Sequence, residues 1–532
     1  MYPLTLLATG VCLLWGSYWM LPYQYQDLAQ SVIATDIFAN NILMSIKSAD
    51  YWNTLNDYKP LMHTWYLGII VQFYVVFSLI VVLSKKLIRT KKNITVYIVG
   101  VCLLISLALY LHPSFTTTQK FYFLPFRIFE FCAGCLNAYM VTDNKKLRFS
   151  NNKSLMSVVV TLAYLLLFCL LFINVDYVSG PIKLISTVVL SCLLLATLPC
   201  TGLVIDKVVS NRWLAGIGKA SFSIYIWHQI VFAFCRYSFT SVFDIKVFLI
   251  TILITAVLSV ISYFFVEQSL SKYMKKEKGI RNTLIGCACA AIALIGISLF
   301  LNSRSGVIRD VPELDTYVGK TSDRMHIAYN EEGYQYDKDY ISSDKLHWAV
   351  VGDSFGRDFV NILREMNIEN QVEITYIGKD FIIRSENIKR IKESDLIFRT
   401  MTVAPHESSI DDFYLYTDSL GINRNIVVIV GSKNFGHCLG QIYAKRNQEN
   451  YYQSTVTIDN WYFKQNDDFA QKCQGHYIDL ITPMRVSETD VRVFTDDQKI
   501  ISQDCVHLTQ NGAKLYARLL EPVIKNYIEK DY

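Results

Sequence analysis

Residues 347–358 read HWAVVGDSFGRD, and their parsing decides the fold of the second half of the chain. Positions 348–351 are mostly apolar and read as a buried parallel strand, after which Gly352 permits a sharp turn. Asp353 and Ser354 follow at the tip, and Phe359, Ile362 and Leu363 then recur at helical spacing. A serine on a strand-to-helix turn presents an exposed hydroxyl, and the backbone N–H groups at the helix start face the same space. Such a turn suits a nucleophile. The Gly-Asp-Ser triplet is also compatible with an ordinary turn, so the chemistry needs support from elsewhere in the chain.

That support lies downstream. Asp504-Cys-Val-His507-Leu-Thr-Gln-Asn-Gly-Ala sets an acid three residues before a histidine, just ahead of an amphipathic helix expected over 513–528. A serine hydroxyl is a poor nucleophile until a base takes its proton, and the base works best when a carboxylate orients it. Between the two blocks, an apolar strand is expected at Val427–Val430, ending in Gly431-Ser-Lys-Asn434. An asparagine at a strand's C-terminal end can donate an N–H to a developing oxyanion.

Together the three blocks resemble the SGNH (GDSL-like) hydrolase and acetyltransferase family. The resemblance implies an α/β/α domain with a parallel sheet, with Ser354 as nucleophile, His507 as its base and Asp504 as the orienting acid. It also implies Asn434 as an oxyanion donor, with Gly378, after a strand expected at 374–377, as the candidate for a second. The chain has Gly-x-x-Asn where that family usually has Gly-x-Asn. The competing reading is a related fold in which Ser354 caps a helix and His507 lies on the surface.

Further outward, composition separates two modules. The 532 residues are 52% hydrophobic and only 18% charged, too apolar for a soluble protein of this size. Before about residue 302 the chain carries repeated apolar runs of roughly 20 residues, enough to cross a bilayer. Nine spans are expected, at 3–21, 64–84, 95–112, 121–142, 155–174, 181–200, 214–237, 246–266 and 281–301. The stretch 26–46, with Asp27, Asp36, Asn40 and Asn41, reads as an interfacial amphipathic helix. Lys85, Lys86, Arg89, Lys91 and Lys92 crowd one loop; Lys145, Lys146, Arg148 and Lys153 a second; Lys272, Lys275, Lys276, Lys278 and Arg281 a third. With nine spans all three fall on one side, so the positive-inside rule puts the amino terminus in the cytoplasm and the region beyond 303 outside. These loops account for the net charge of +5, and no nucleic-acid partner is implied. Of the 13 cysteines, ten lie in or beside spans, where small apolar thiols pack well. Cys438, Cys473 and Cys505 lie outside, where one disulfide could persist; the sequence does not choose the pair. Cys132 and Cys135 have no second pair to make a metal site, so no metal is expected.

Several residues of the spans are polar beyond ordinary packing needs. Arg127 and Glu130, in Leu124-Pro-Phe-Arg-Ile-Phe-Glu, sit three apart on one helix face. His63-Thr-Trp65 opens a span continuing to Gln72-Phe-Tyr74; His228 closes Ser221-Phe-Ser-Ile-Tyr-Ile-Trp-His; Glu267 lies in Tyr263-Phe-Phe-Val-Glu-Gln. Singly, each has a bland explanation: an ion pair, an interfacial anchor, a core histidine, a span end meeting Lys272. As a set, the four strings resemble successive signatures of the membrane acyltransferase-3 family, over residues 1 to about 275. With the SGNH-like domain behind them, the chain resembles bacterial O-acetyltransferases of lipopolysaccharide and peptidoglycan. The resemblance implies a membrane part that takes an acyl group from a cytoplasmic donor, acetyl-CoA or another acyl-CoA, with no bound cofactor. The outer domain then places it on a hydroxyl of an envelope carbohydrate. Two departures stand out. The family begins with two further spans, the first bearing an arginine and a histidine, and Met1-Tyr-Pro starts after that point. Ile70 and Val71 replace two glutamates of the family's HTW string.

The expected architecture is therefore a polytopic membrane bundle (1–275), a linking transmembrane helix (276–302) and an extracytoplasmic α/β/α domain (303–532), embedded in membrane lipid and acting as an O-acyltransferase. Two other readings stay open: a membrane-anchored carbohydrate esterase whose acyl-donating half is inactive, and a non-catalytic multi-pass transporter or pseudo-enzyme. Spans 155–174 and 181–200 supply almost none of the polar lining that a carrier needs.

Overall fold

Long apolar segments satisfy their backbone polar groups by folding as helices. The computed structural model describes residues 1–47, 56–87, 94–143, 153–173, 179–197, 211–238, 243–316, 325–378, 385–401, 408–473 and 475–529. Among them, five helices are long and apolar enough to cross a membrane: Met62–Ser84, Ile94–Leu111, Gly180–Thr197, Ile245–Met274 and Gly279–Ser303. Each falls on an expected span. The shorter apolar helices Ile128–Val141 and Met156–Phe172 lie within two more. Tyr2–Trp19 and Ser221–Ser238 occupy the remaining two regions. They pack against each other, and Tyr2–Trp19 also packs against Gly279–Ser303. On the outside of the bundle Leu104, Leu166, Leu253 and Ile292 are more than half exposed, an apolar surface that only a bilayer or another protein would cover. The basic loop residues at 88–93 and 144–152 lie outside the described residues.

The stretch 26–46 is not an interfacial helix. It lies across two helices, Pro22–Asp36 and Asn40–Lys47. The first packs against Tyr2–Trp19 and Gly279–Ser303 and is buried along most of its length. The polar residues that gave it an amphipathic look are met inside the bundle rather than by water. Thr9 donates to Asp36 at 3.1 Å, Asn40 to Thr64 at 2.7 Å, and Gln30 to Asn302 at 2.8 Å.

Beyond Ser303 the chain turns against the helices. Gly306 has φ +75° and a Cβ there would lie 1.9 Å from the Pro22 carbonyl oxygen, so only glycine fits this approach. Arg309 donates to the Ser17 and Tyr18 carbonyls at 2.6 and 2.9 Å, tying the exit of the last helix to the end of the first.

The second half is an α/β unit. Its strands are β1 (Leu346–Val351), β2 (Val372–Ile377), β3 (Leu396–Thr400), β4 (Val427–Val430), β5 (Thr455–Thr457), β6 (Tyr477–Ile478) and β7 (Asp490–Arg492). Five form a parallel sheet of order β2-β1-β3-β4-β6, and β5 pairs antiparallel with β7. The strand residues alternate between two cores. Trp348, Val350, Phe398 and Val428 face the helices Ser354–Glu365 and Gln510–Glu529, whereas Ala349, Val351, Ile397 and Ile429 face Ile391, Phe413 and Phe469. Both faces are covered, which is why these strands read as continuous apolar runs. The chain order reverses at β1, with β2 on one side and β3 on the other. In open parallel sheets the crevice at the strand C-termini beside such a reversal is the usual ligand site. Cys438, Cys473 and Cys505 are buried free thiols, so the disulfide that the sequence allowed is not formed.

Candidate active site

The turn after β1 is forced by close packing. A Cβ on Gly352 would lie 1.9 Å from Thr400 Oγ1 on β3, so residue 352 has to be glycine for the two strand ends to meet. Asp353 caps the following helix, its Oδ1 accepting the Phe355 N–H at 2.9 Å. Ser354 is therefore the first helical residue, and the capping role belongs to its neighbour. Ser354 is also only 8% exposed. The exposed hydroxyl expected of a bare turn is corrected by tertiary packing: Asn330 donates to the Ser354 carbonyl, and two distant loops meet the same helix at Asp358.

One is the loop 502–508. Asp504 Oδ2 lies 2.6 Å from His507 Nδ1, while Oδ1 accepts the backbone N–H groups of His507 and Val506 at 2.7 and 3.0 Å. Both residues are buried, and His507 is not the surface histidine of the competing reading. The carboxylate fixes the ring and makes Nε2 the nitrogen that can take a proton. Burial pulls the His507 pKa down, but the charge and hydrogen bond of Asp504, with a further pull from Asp358, hold it above the ordinary value; Lys433 opposes them. Cys505 between them adopts φ +73°, a costly conformation for a residue with a side chain, which bends the loop so that Asp504 reaches back to His507.

The other is the loop after β4. Asn434 Oδ1 accepts the Gly436 N–H at 2.7 Å, which leaves Nδ2 as its outward donor. Phe435 N–H donates to the Cys505 carbonyl at 3.1 Å, clasping this loop to the histidine loop. Both meet the serine helix at Asp358, one turn beyond Ser354. Lys433 Nζ lies 2.8 Å from Asp358 Oδ2 and 3.6 Å from the centre of the Phe355 ring, and Leu508 N–H donates to Asp358 Oδ2 at 3.2 Å. Gly378 follows β2 and is half-buried; a Cβ there would touch only Tyr376, at 3.9 Å. Tyr376 Oη donates to the Gly352 and Asp353 carbonyls at 3.0 Å each, bracing the turn from the β2 side.

Three contributors were missed from sequence. Asp358 stood in the opening string at helical spacing from Ser354, Lys433 inside Gly-Ser-Lys-Asn, and Asn330 in a segment with no motif. Asn330 Nδ2 donates to the Ser354 carbonyl and to Asp358 Oδ1, at 2.7 Å each. The only signal was a carboxylate and an ammonium in otherwise apolar surroundings.

In the helical half the polar residues gather in four groups. Arg127 pairs with Glu130 at 2.8 Å, and its guanidinium lies 5.9 Å from the Trp65 ring centre and 5.2 Å from that of Phe121. The rings of His63 and His228 are 5.1 Å apart, with Tyr225 donating to the His63 carbonyl. Gln72 donates to Asn41 Oδ1 at 2.9 Å. Glu267 accepts from Ser223 on the neighbouring helix, a half-buried polar contact in place of the expected meeting with Lys272. Tyr74 is not brought to any of them; it is 58% exposed on the outer face.

A bundle of apolar helices bearing interior ionisable residues, joined to a parallel α/β unit, defines a polytopic membrane protein with a water-facing part. The helical half places it more closely: residues 1–267 match the acyltransferase-3 family, described as "Acyltransferase domain". The chain belongs to that family. It is 28% identical over 271 residues to O-acetyltransferase OatA of Staphylococcus aureus strain NCTC 8325 / PS 47, an alignment covering 48% of this chain and 44% of the relative. It is likewise 28% identical over 257 residues to O-acetyltransferase OatA of Staphylococcus aureus strain MRSA252, covering 46% and 42%. The aligned part thus spans less than half the length of these curated relatives. No solved structure matches the chain.

Proposed function

We propose that this chain is a membrane O-acetyltransferase of cell-envelope carbohydrate. Residues 1–275 would accept the acyl group from acetyl-CoA or a similar cytoplasmic donor, 276–302 would link, and 303–532 would be an SGNH-like domain on the outer side that delivers it. Ser354 attacks the carbonyl carbon of an acyl group presented by the membrane half as His507 Nε2 takes its proton, and Asp504 steadies the imidazolium; the bond from the acyl carbon to its carrier then breaks, and His507 returns the proton to the departing carrier. Asn434, aided by Gly378, donates to the oxyanion. The resulting acyl-Ser354 is released by a sugar hydroxyl activated by the same histidine.

The observation that carries this reading is the 2.6 Å Asp504–His507 contact on a loop hydrogen-bonded to the helix that begins at Ser354. The relatives named O-acetyltransferase support the reaction class. The test is to incubate the full chain in vesicles with radiolabelled acetyl-CoA and map the labelled peptide. Label on the peptide containing Ser354, lost in Ser354→Ala, is the expected result; label that persists in Ser354→Ala rejects the serine. A membrane-anchored esterase is the second reading, favoured by apolar Ile70 and Val71 in the HTW string. It predicts ester hydrolysis with no label from acetyl-CoA.

The orientation has its own test. In intact cells an impermeant thiol reagent is expected to label a cysteine placed at Ser343 but not one at Lys272, both exposed positions. The reverse pattern would put the α/β unit in the cytoplasm and remove the envelope substrate.

A further inference from the structure

A serine helix, a histidine loop and an asparagine loop from distant parts of the chain have to stay in register for proton transfer. Such registers are sensitive, since a misplacement of about 1 Å can cost roughly 10²-fold in rate. The Asp504–His507 contact fixes the ring within its own loop, but it does not fix that loop against Ser354. That second task falls on contacts between elements.

One carboxylate meets all three blocks. Asp358 is 1% exposed. Its Oδ2 accepts Leu508 N–H, immediately after His507, at 3.2 Å, and faces Lys433 Nζ at 2.8 Å, immediately before Asn434. Its Oδ1 accepts Asn330 Nδ2, which also donates to the Ser354 carbonyl. Lys433 is equally buried, resting on the Phe355 ring, and its approach to Asp358 is at ion-pair distance without hydrogen-bond geometry. As a stability device the pair is unremarkable, because replacing a buried ion pair by apolar groups of similar volume is often neutral or stabilising. Its placement beside all three blocks calls for a different account.

We propose that Asp358 and Lys433 are positioning residues: Lys433 fixes the Asp358 carboxylate, and Asp358 sets where His507 and Asn434 stand relative to Ser354. The inference rests on the reading of Ser354 and His507 given above. Neither residue of the pair touches the reacting atoms. The tether to Leu508 N–H needs an acceptor at position 358, not a charge, and this separates the idea from a merely structural pair.

The experiment uses the full chain in detergent micelles with a small activated acetate ester, reading kcat, KM, the pH profile and the melting temperature. Asp358→Asn combined with Lys433→Met keeps one acceptor, for Leu508 N–H, in a neutral pair while its new N–H₂ faces Asn330, and is expected to stay within about tenfold of the parent kcat. Asp358→Leu combined with Lys433→Met removes the acceptor and is expected to lose about 10²-fold in kcat with KM unchanged. If the leucine variant does not fold, Asp358→Ser with Lys433→Met takes its place, its cavity letting water satisfy the stranded donors. The acid limb of the profile, which reports His507 among Asp504, Asp358 and Lys433, is expected to move only slightly, to lower pH, because the raising effect of Asp358 leaves together with the smaller opposing effect of Lys433. Parent-like kcat in a folded leucine or serine variant overturns the proposal. Equal loss in the asparagine variant also overturns it, since charge rather than position would then govern. Ser354→Ala run alongside separates the two levels: if it retains activity, the serine reading fails first, whereas if it is inactive and the pair variants are parent-like, only the positioning role fails.

Discussion

Two buried ion pairs, one in each half of the molecule, differ in a way that runs through the whole chain. Arg127 and Glu130 are three residues apart, and their 2.8 Å contact forms within one local turn and helix. Asp358, in the helix after β1, and Lys433, in the loop after β4, reach the same 2.8 Å from 75 residues apart in the chain. The first pair helps to neutralise charge in an apolar bundle, where an unpaired ion is expensive. The second joins loops that carry the candidate chemistry. The helical half is thus held by local pairs and interhelical hydrogen bonds, while the α/β half depends on long-range contacts to assemble its site.

The comparison breaks most severely at Ser354. If acyl transfer completes in the α/β half, Ser354→Ala and His507→Ala should each lower ester hydrolysis by about 10⁴-fold or more, and their combination should be little worse than either. Stopped or steady-state hydrolysis by the folded full-length variants checks this. Parent-like turnover in Ser354→Ala would move the chemistry out of that half.

Next in size is the helical pair. Arg127→Met leaves Glu130 without its partner, and breaking a buried pair from one side typically costs about 3–5 kcal/mol. Acetyl-CoA-dependent transfer in vesicles is expected to fall steeply while hydrolysis of a small ester by the same preparation persists. Parallel loss of both activities would mean that the halves do not work as separable units.

A smaller effect is expected at Asn434. Removal of one oxyanion donor costs on the order of 10²–10³-fold in kcat, so Asn434→Ala should lie between the parent and the serine variant. A loss as small as a few-fold would leave the Gly431–Asn434 loop with positioning alone.

The mildest effect is a shift along the pH axis. Asp504 and Asp358 hold the His507 pKa above its ordinary value despite burial, ordinarily about 6.5. A base has to be neutral, so the rate should climb with pH only through that raised value. Asp504→Asn should move the climb to lower pH, in whatever rate remains. The same shift has a stability side: the stabilising contribution of protonated His507 is complete below about pH 6.5 and is lost as pH rises through its folded pKa. An acid limb at or below the ordinary histidine value would separate His507 from the role of base.

The local elements follow from patterns along the chain. Apolar runs of membrane length produced the five long helices, the runs around 348–351 and 374–377 and Val427–Val430 became strands of a parallel sheet, and Asp504 stood at the right spacing to reach His507. Each of these depends on neighbours in the chain, where periodicity and propensity act directly. Tertiary structure decided what covers those elements. The polar residues of 26–46 looked suited to a membrane surface and instead meet Thr9, Thr64 and Asn302 inside the bundle. Ser354 looked exposed and is buried. Tyr74, inside a polar string, faces outward. In every such case the outcome turns on which distant group arrives to take a hydrogen bond or to exclude water, and residues 358 and 433 become neighbours only because β1, β3 and β4 end side by side.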